Sequence, residues 1–279
     1  MIFEKIDLKL DYSKIDAPDT GYVAVMDLYV PNESREASAY TFKRPTVIVL
    51  PGGGYGWTSR READPIALKF VANGMNACVI NYSVVPSTFP SALLEVLSAI
   101  KFLRENAEKY FVNKDKIFVC GFSAGGHLAA NVGTHWNKKE ALDYFGDVEN
   151  LRPDGLVLGY PVITNDDNKS HLGSFDALLG DKKGDKDMLE YLCLDKQVSE
   201  STPPAFIWST YEDDGVPCEN SIRFALALRN KRIPFELHIY EKGEHGAATG
   251  DRVTNFKPLR LKNWMDEAAA WIFDERSQK

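Results

Sequence analysis

Lys116-Ile117-Phe118-Val119-Cys120-Gly121-Phe122-Ser123-Ala124-Gly125-Gly126-His127 runs from an apolar strand-forming segment straight into a stretch with helical character. Gly-x-Ser-x-Gly says little alone, because a serine after a glycine turn is also a common helix N-cap. Between a strand and a helix it says more. Glycines at 121 and 125 let the backbone pass closely. Ser123 is then expected to sit in a strained conformation at the strand's carboxyl end, with its hydroxyl exposed. Gly126 is expected to leave further room. The following helix turns its positive end toward the serine, and the Ala124 amide is free to donate to an anion. In this setting Ser123 reads as a nucleophile.

Outward from this turn, short β-rich runs recur with helical stretches between most of them, the pattern of parallel strands joined by crossover helices. The expected strands are Thr46 to Leu50, Ala77 to Tyr82, Lys116 to Gly121, Gly155 to Tyr160, Ala205 to Thr210 and Phe235 to Tyr240. Phe3 to Leu10 and Tyr22 to Val30 look like an antiparallel edge. Helices are expected over Glu62 to Asn73, Ser91 to Tyr110, Ser123 to Asn137, Cys218 to Lys231 and Leu261 to Phe273. In the second, Leu93, Leu94, Val96, Leu97, Ile100 and Leu103 form one broad apolar face. The fold class is therefore α/β.

Pro161 to Pro204 breaks the rhythm with polar loops and one or two short helices, and reads as a cap-like insertion. Within it, Gly180 to Asp187 resembles an exposed turn, and Phe175, Leu178 and Leu179 offer an apolar edge for a lid. No repeat or linker argues for a second unit, so residues 1–279 are expected to form one domain.

Pro51-Gly52-Gly53-Gly54-Tyr55 follows an expected strand, and three successive glycines expose backbone amides that can bind an anion. A phosphate loop is excluded by detail, because neither the Walker spacing nor a complete Gly-x-Gly-x-x-Gly pattern is present. The amides of Gly53 and Gly54 are then expected to join that of Ala124 around a tetrahedral intermediate. Tyr55 and Trp57 are candidates to line the entrance.

A serine hydroxyl needs a base, and the base needs an acid to orient it. Of five histidines, only His238 and His245 lie late enough for the order serine, acid, histidine. His238 falls inside a strand and points into a sheet face. His245, in Gly243-Glu244-His245-Gly246, follows that strand and is the chosen base. The acid should follow the preceding strand, where Asp213 is the choice and Asp214 its competitor. His127 reads as packing or a hydrogen bond beneath the turn, and His135 and His171 as surface residues. No metal spacing is seen, and no metal or cofactor is expected.

A net charge of -7 gives no general attraction to nucleic acid or anionic membranes. All four cysteines read as reduced thiols. The first residues alternate apolar with charged, and no window offers the roughly 18 uninterrupted apolar residues of a spanning helix. A cytoplasmic location is expected, which leaves the Asn-x-Ser sites at Asn32 and Asn168 little meaning.

With these residues in place, the chain resembles the esterase branch of the α/β-hydrolases that includes acetylxylan and related carbohydrate esterases and lipase-like acetyl esterases. The resemblance rests on Pro51 to Tyr55, Gly121 to His127, Asp213 with Val216-Pro217, and Gly243 to His245 with Gly246. It differs from hormone-sensitive-lipase-like esterases at Pro51 and Phe122, where those have His and Asp. The resemblance implies a mostly parallel twisted sheet of about eight strands with helices on both faces. It also implies a small acyl ester as substrate, such as an O-acetyl group on a sugar or xylooligosaccharide, no cofactor, and a homodimer. Two rivals remain open at this point: an amidase or peptidase such as an arylformamidase, and a catalytically dead scaffold used for binding.

Overall fold

Val47-Ile48-Val49-Leu50 is an apolar, mostly β-branched run whose two sides are both fully buried, Val47 and Val49 in one core layer and Ile48 and Leu50 in the other. A strand covered on both faces has this character. It ends β3 (Arg44–Leu50). The computed structural model describes residues 1–32, 43–166, 169–255, 261 and 264–274. Asn168 lies outside the described residues, as do positions 262–263 near the start of the last expected helix.

The other strands are β1 (Ile2–Leu8), β2 (Ala24–Val30), β4 (Asn76–Asn81), β5 (Val112–Phe122), β6 (Gly155–Gly159), β7 (Ala205–Thr210) and β8 (Phe235–Tyr240). They form one sheet in the order β1-β2-β4-β3-β5-β6-β7-β8. β2 runs antiparallel to both β1 and β4, and every pairing from β4 to β8 is parallel. The antiparallel edge expected at the start of the chain is present. β5 begins earlier than expected, because Val112 already pairs with Arg44 before a register shift carries the polar residues 113–116 into the strand.

Helices cover both faces. α1 (Asp64–Ala72) and α8 (Trp264–Phe273) pack on one side through Ile66, Phe70, Trp264 and Trp271. α2 (Ser91–Glu105), α3 (Ala124–His135) and α7 (Glu219–Asn230) pack on the other. The expected apolar face of α2 is buried. The helix stops short of Tyr110, where Asn106 turns its side-chain amide back onto the Phe102 carbonyl at 2.9 Å. A short helix missed in the sequence, α4 (Lys139–Phe145), follows α3. Among the described residues no helix is long and apolar enough to cross a membrane.

Between β6 and β7 lie α5 (Leu172–Leu179), α6 (Lys186–Tyr191) and short single turns. Phe175, Leu178 and Leu179 do not form a loose apolar edge. They are buried in the larger core layer, and the Phe175 ring lies 5.3 Å from that of His127. Their burial pins α5 to the body of the fold, so the lid reading of these three residues is corrected.

From β3 the chain passes to β4 on one side and then to β5 on the other, so the strand order reverses between β3 and β5. In open α/β sheets the crevice at the carboxyl ends of such strands is the favoured binding place.

Candidate active site

Both loops that flank this reversal carry glycine for steric reasons. A Cβ on Gly121 would lie 2.1 Å from the Gly125 carbonyl oxygen, and one on Gly125 would lie 2.2 Å from that of Leu50. Only hydrogen fits at either place, so β5 turns into α3 at once and in contact with the end of β3. Gly126 does not leave room as expected: its α-carbon packs against Pro161, whose Cβ would sit 2.8 Å from an added methyl.

Ser123 occupies the corner with φ 54° and ψ -120°, a conformation that non-glycine residues rarely adopt. Its amide donates to the Gly159 carbonyl at 3.1 Å, and its carbonyl accepts from His127 and Val162 at 3.0 Å each. These bonds hold the strained residue from three sides. Its side chain makes no capping bond to α3. The hydroxyl instead meets His245 Nε2 at 2.8 Å.

His245 lies on the loop after β8, and its Nδ1 is 2.7 Å from Asp213 Oδ2. A carboxylate accepts, so Nδ1 carries the proton and Nε2 is left to accept from Ser123. Asp213 follows β7, and its side chain is wholly buried. Its Oδ1 accepts from the amides of Gly215 at 3.0 Å and Val216 at 2.8 Å. Asp214 is exposed and has no part in this chain of bonds. The structure thus brings Ser123, Asp213 and His245 together and leaves Asp214 outside.

The glycine loop lies against the same corner. A Cβ on Gly52 would approach Ser123 Cβ to 2.9 Å, while Gly53 and Gly54 have φ of 132° and 63°. No acceptor among the described residues pairs with the amides of Gly53, Gly54 and Ala124. Unpaired backbone donors in a loop packed against a serine are suited to hold a developing oxyanion.

Tyr55 is placed differently from the sequence expectation. It is 2 % exposed and points beneath the loop, where its hydroxyl meets His127 Nδ1 at 2.8 Å. The Leu192 carbonyl can only accept from His127 Nε2, at 3.0 Å, so Nδ1 is the acceptor and Tyr55 donates. Burial drives the His127 pKa down to about 4, and the imidazole is neutral. Tyr55 therefore has no side-chain access to a substrate, and His127 is the support beneath the turn. Trp57 remains at the rim and is 60 % exposed.

One further histidine is not a surface residue. His135 is buried at the end of α3, with Nδ1 2.8 Å from Thr134 Oγ1 and its ring edge-on to Tyr191. Every residue of α3 is buried, so its polar positions give no outward face to read. His171 is half-buried, and a Cβ on Gly54 would lie 3.8 Å from its Cε1. Burial lowers its pKa, as does the nearby His245. His238 packs on Phe206 in the sheet face, as its strand position implies. The four cysteines are free. Among the described residues no group of three or more His, Cys, Asp or Glu is arranged to hold a metal ion.

Glu62 and Tyr160 were not found in the sequence. Glu62 ends a single turn before α1 and is 3 % exposed, with Oε2 accepting from the Gly52 amide at 2.8 Å. Tyr160, just after β6, donates to Glu62 Oε1 at 2.7 Å and lies edge-on to His245 with ring centroids 5.1 Å apart. An acid in a turn carries no local signal, since its partners lie 10 and 98 positions away.

Known proteins share this arrangement of elements. The chain is 39% identical over 223 residues to endo-1,4-beta-xylanase B of Butyrivibrio fibrisolvens, a match covering 78% of this chain and 35% of that protein. It is 31% identical over 231 residues to the acetylxylan esterase of Xylanibacter ruminicola, covering 80% of this chain and 46% of that one. The chain thus spans between a third and a half of the length of these two relatives. Among solved structures, an acetyl ester-xyloside bifunctional hydrolase from Caldicellulosiruptor lactoaceticus superposes with a TM-score of 0.82 at 35% identity, over 96% of this chain and 94% of that one. The fold is that of the α/β-hydrolases. Residues 26–228, which include the glycine loop, Ser123 and Asp213, match the BD-FAE family model, and the chain belongs to the BD-FAE family.

Proposed function

We propose that the protein is a serine carboxylesterase that removes short acyl groups, acetyl above all, from sugars or xylooligosaccharides. One observation carries the reading: His245 bridges Ser123 Oγ and Asp213, while the amides of Gly53, Gly54 and Ala124 have no partner among the described residues. His245 Nε2 takes the Ser123 proton as Oγ bonds to the ester carbonyl carbon. The three amides hold the negative oxygen of the tetrahedral intermediate. His245 then gives its proton to the departing alcohol, and the acyl group stays on Ser123. Water, deprotonated by His245, releases the acid and restores the hydroxyl. Asp213 keeps Nδ1 protonated throughout.

The sugar side is supported by what the relatives are called, an acetylxylan esterase and an acetyl ester-xyloside hydrolase. Residues 1–279 are read as one α/β-hydrolase domain with 161–204 as a cap-like insertion, because strands from both sides of that segment enter one sheet. Four free thiols favour a reducing, cytoplasmic compartment. A homodimer is the assembly proposed, to be tested by light scattering.

The test of the reaction is hydrolysis of p-nitrophenyl acetate and acetylated xylooligosaccharides by the wild type and Ser123→Ala. The wild type should release acetate from both, and the variant should lose at least roughly 10³-fold in turnover. Wild-type rates in the variant, or turnover of N-formylkynurenine but not acetyl esters by the wild type, would overturn the reading.

A further inference from the structure

The segment from Gly52 to Glu62 is closed on itself by both polar groups of Gly52. Its amide donates to Glu62 Oε2 at 2.8 Å, and its carbonyl accepts from the Ser59 amide at 2.8 Å. Inside this closed loop the Gly53 carbonyl accepts from Gly56 and Trp57. A loop clamped at both ends presents its free amides in one orientation, which is the condition for donors that must not reorganise during reaction.

The other oxygen of Glu62 reaches across the site. Tyr160 donates its hydroxyl to Oε1 at 2.7 Å, and the same hydroxyl accepts from the Ala248 amide at 2.9 Å. Ala248 lies three positions past His245, has φ 50°, and passes its own carbonyl to Trp264 Nε1 at 3.0 Å. One buried carboxyl group therefore joins the glycine loop to the histidine loop. The Tyr160 ring stands between Glu62 and the His245 imidazole.

We propose that Glu62 and Tyr160 are positioning residues that set the distance between the oxyanion donors and His245, two parts of the site carried by loops far apart in sequence. The proposal rests on the esterase reading above. Neither side chain hydrogen-bonds to Ser123 or His245. Both act by fixing backbone: Glu62 at Gly52, Tyr160 at Ala248. The two bonds are in series, so breaking either one releases the same coupling.

The variants are Glu62→Gln, Tyr160→Phe and the pair together. Glutamine keeps one acceptor for Gly52 but turns an N–H₂ toward Tyr160. Phenylalanine keeps the ring beside His245 and removes only the hydroxyl. Each is assayed on p-nitrophenyl acetate, with kcat counted per serine that labels with a fluorophosphonate, so that misfolded protein is excluded. Each single variant should lose about tenfold or more in kcat, since loose placement of reacting groups carries costs of that order, with KM within about twofold. The double variant should be no worse than the weaker single by more than about twofold, as expected of coupled residues.

A kcat per labelled serine within about twofold of wild type in the single variants overturns the proposal, as do losses that multiply in the double. A fall in melting temperature and in labelled fraction alone, with turnover per labelled serine intact, also overturns it, because that marks a purely structural role. Should Glu62→Gln fail to fold, Tyr160→Phe decides. An unlabelled, inactive wild type would instead overturn the esterase reading.

Discussion

Ser123 and His245 stand 122 positions apart in the chain and 2.8 Å apart in space. No local propensity brings them together. The sheet does, by setting the carboxyl ends of β5 and β8 along one margin with β6 and β7 between them. Asp213 enters from the end of β7 and completes the contact from the far side of the imidazole.

Asp213→Asn should lower kcat by about 10⁴-fold on p-nitrophenyl acetate with little change in KM, because an amide cannot hold His245 in the tautomer that accepts from Ser123. Asp214→Asn, at an exposed position, should stay within about twofold of wild type. Steady-state kinetics on the two variants distinguishes them. Equal losses would remove Asp213 from the mechanism.

Gly125→Ala should destabilise the fold and silence the site together. Its Cβ would meet the backbone oxygens of Leu50 at 2.2 Å and Pro51 at 2.4 Å, which no side-chain rotation relieves. Overpacking of this kind costs about 1–3 kcal/mol or more. A thermal melt beside an activity assay measures both effects, and an unshifted melting temperature would contradict the packing.

His127 makes stability depend on pH in a definite direction. Burial lowers its pKa to about 4, opposed by the bond to Leu192, against an ordinary 6.5. The neutral imidazole therefore contributes fully above pH 6.5, and that contribution falls as pH drops from 6.5 toward 4. At pH 5 the loss is about 2 kcal/mol, at about 1.4 kcal/mol per unit. Glu95 works in the opposite sense. Burial raises it to about 7, against the bonds from Ser83, so its contribution is complete at low pH and is lost as pH rises through 7. The clean measurement is a difference between proteins. Urea unfolding at pH 5 and pH 7 should show a smaller acid loss in His127→Gln than in wild type, and identical losses would count against a buried neutral His127.

Trp57 sets an indole at the rim of the glycine loop, 60 % exposed. An exposed aromatic beside the proposed sugar-ester site offers a face for stacking. Trp57→Ala should raise KM for acetylated xylooligosaccharides about tenfold and leave p-nitrophenyl acetate unchanged. A uniform change on both substrates would assign Trp57 to the loop's packing instead.

How far the sequence could be read follows from where each signal lies. Ser123 was legible because a strand, two sterically required glycines and a helix are contiguous. His245 and Asp213 were legible because each follows a clean strand, and β8 was delimited correctly from Phe235 to Tyr240. Tyr55 misled because an aromatic after a glycine loop carries no mark of direction. Its φ of 60° turns it under the loop and into contact with His127. His135 misled because a histidine within a helix carries no mark of whether its face is covered, and α3 is covered on every side. Glu62 was invisible among 40 acidic residues, since its role exists only when Gly52 and Tyr160 are folded around it.

The burial of α3 on all sides has a consequence for how the molecule yields to heat. Amide hydrogens in such a helix exchange with solvent only when the whole domain opens, whereas segments with half-exposed backbone open alone. β8 is the last strand of the sheet and half-exposed along its length, and the loop that carries His245 hangs from its end. Hydrogen exchange should find the slowest amides in α3 beside Ser123 and faster ones along β8. On warming, β8 should loosen while the corner beneath Ser123 is still intact, and because His245 follows that strand, loss of activity should precede unfolding and reverse on cooling.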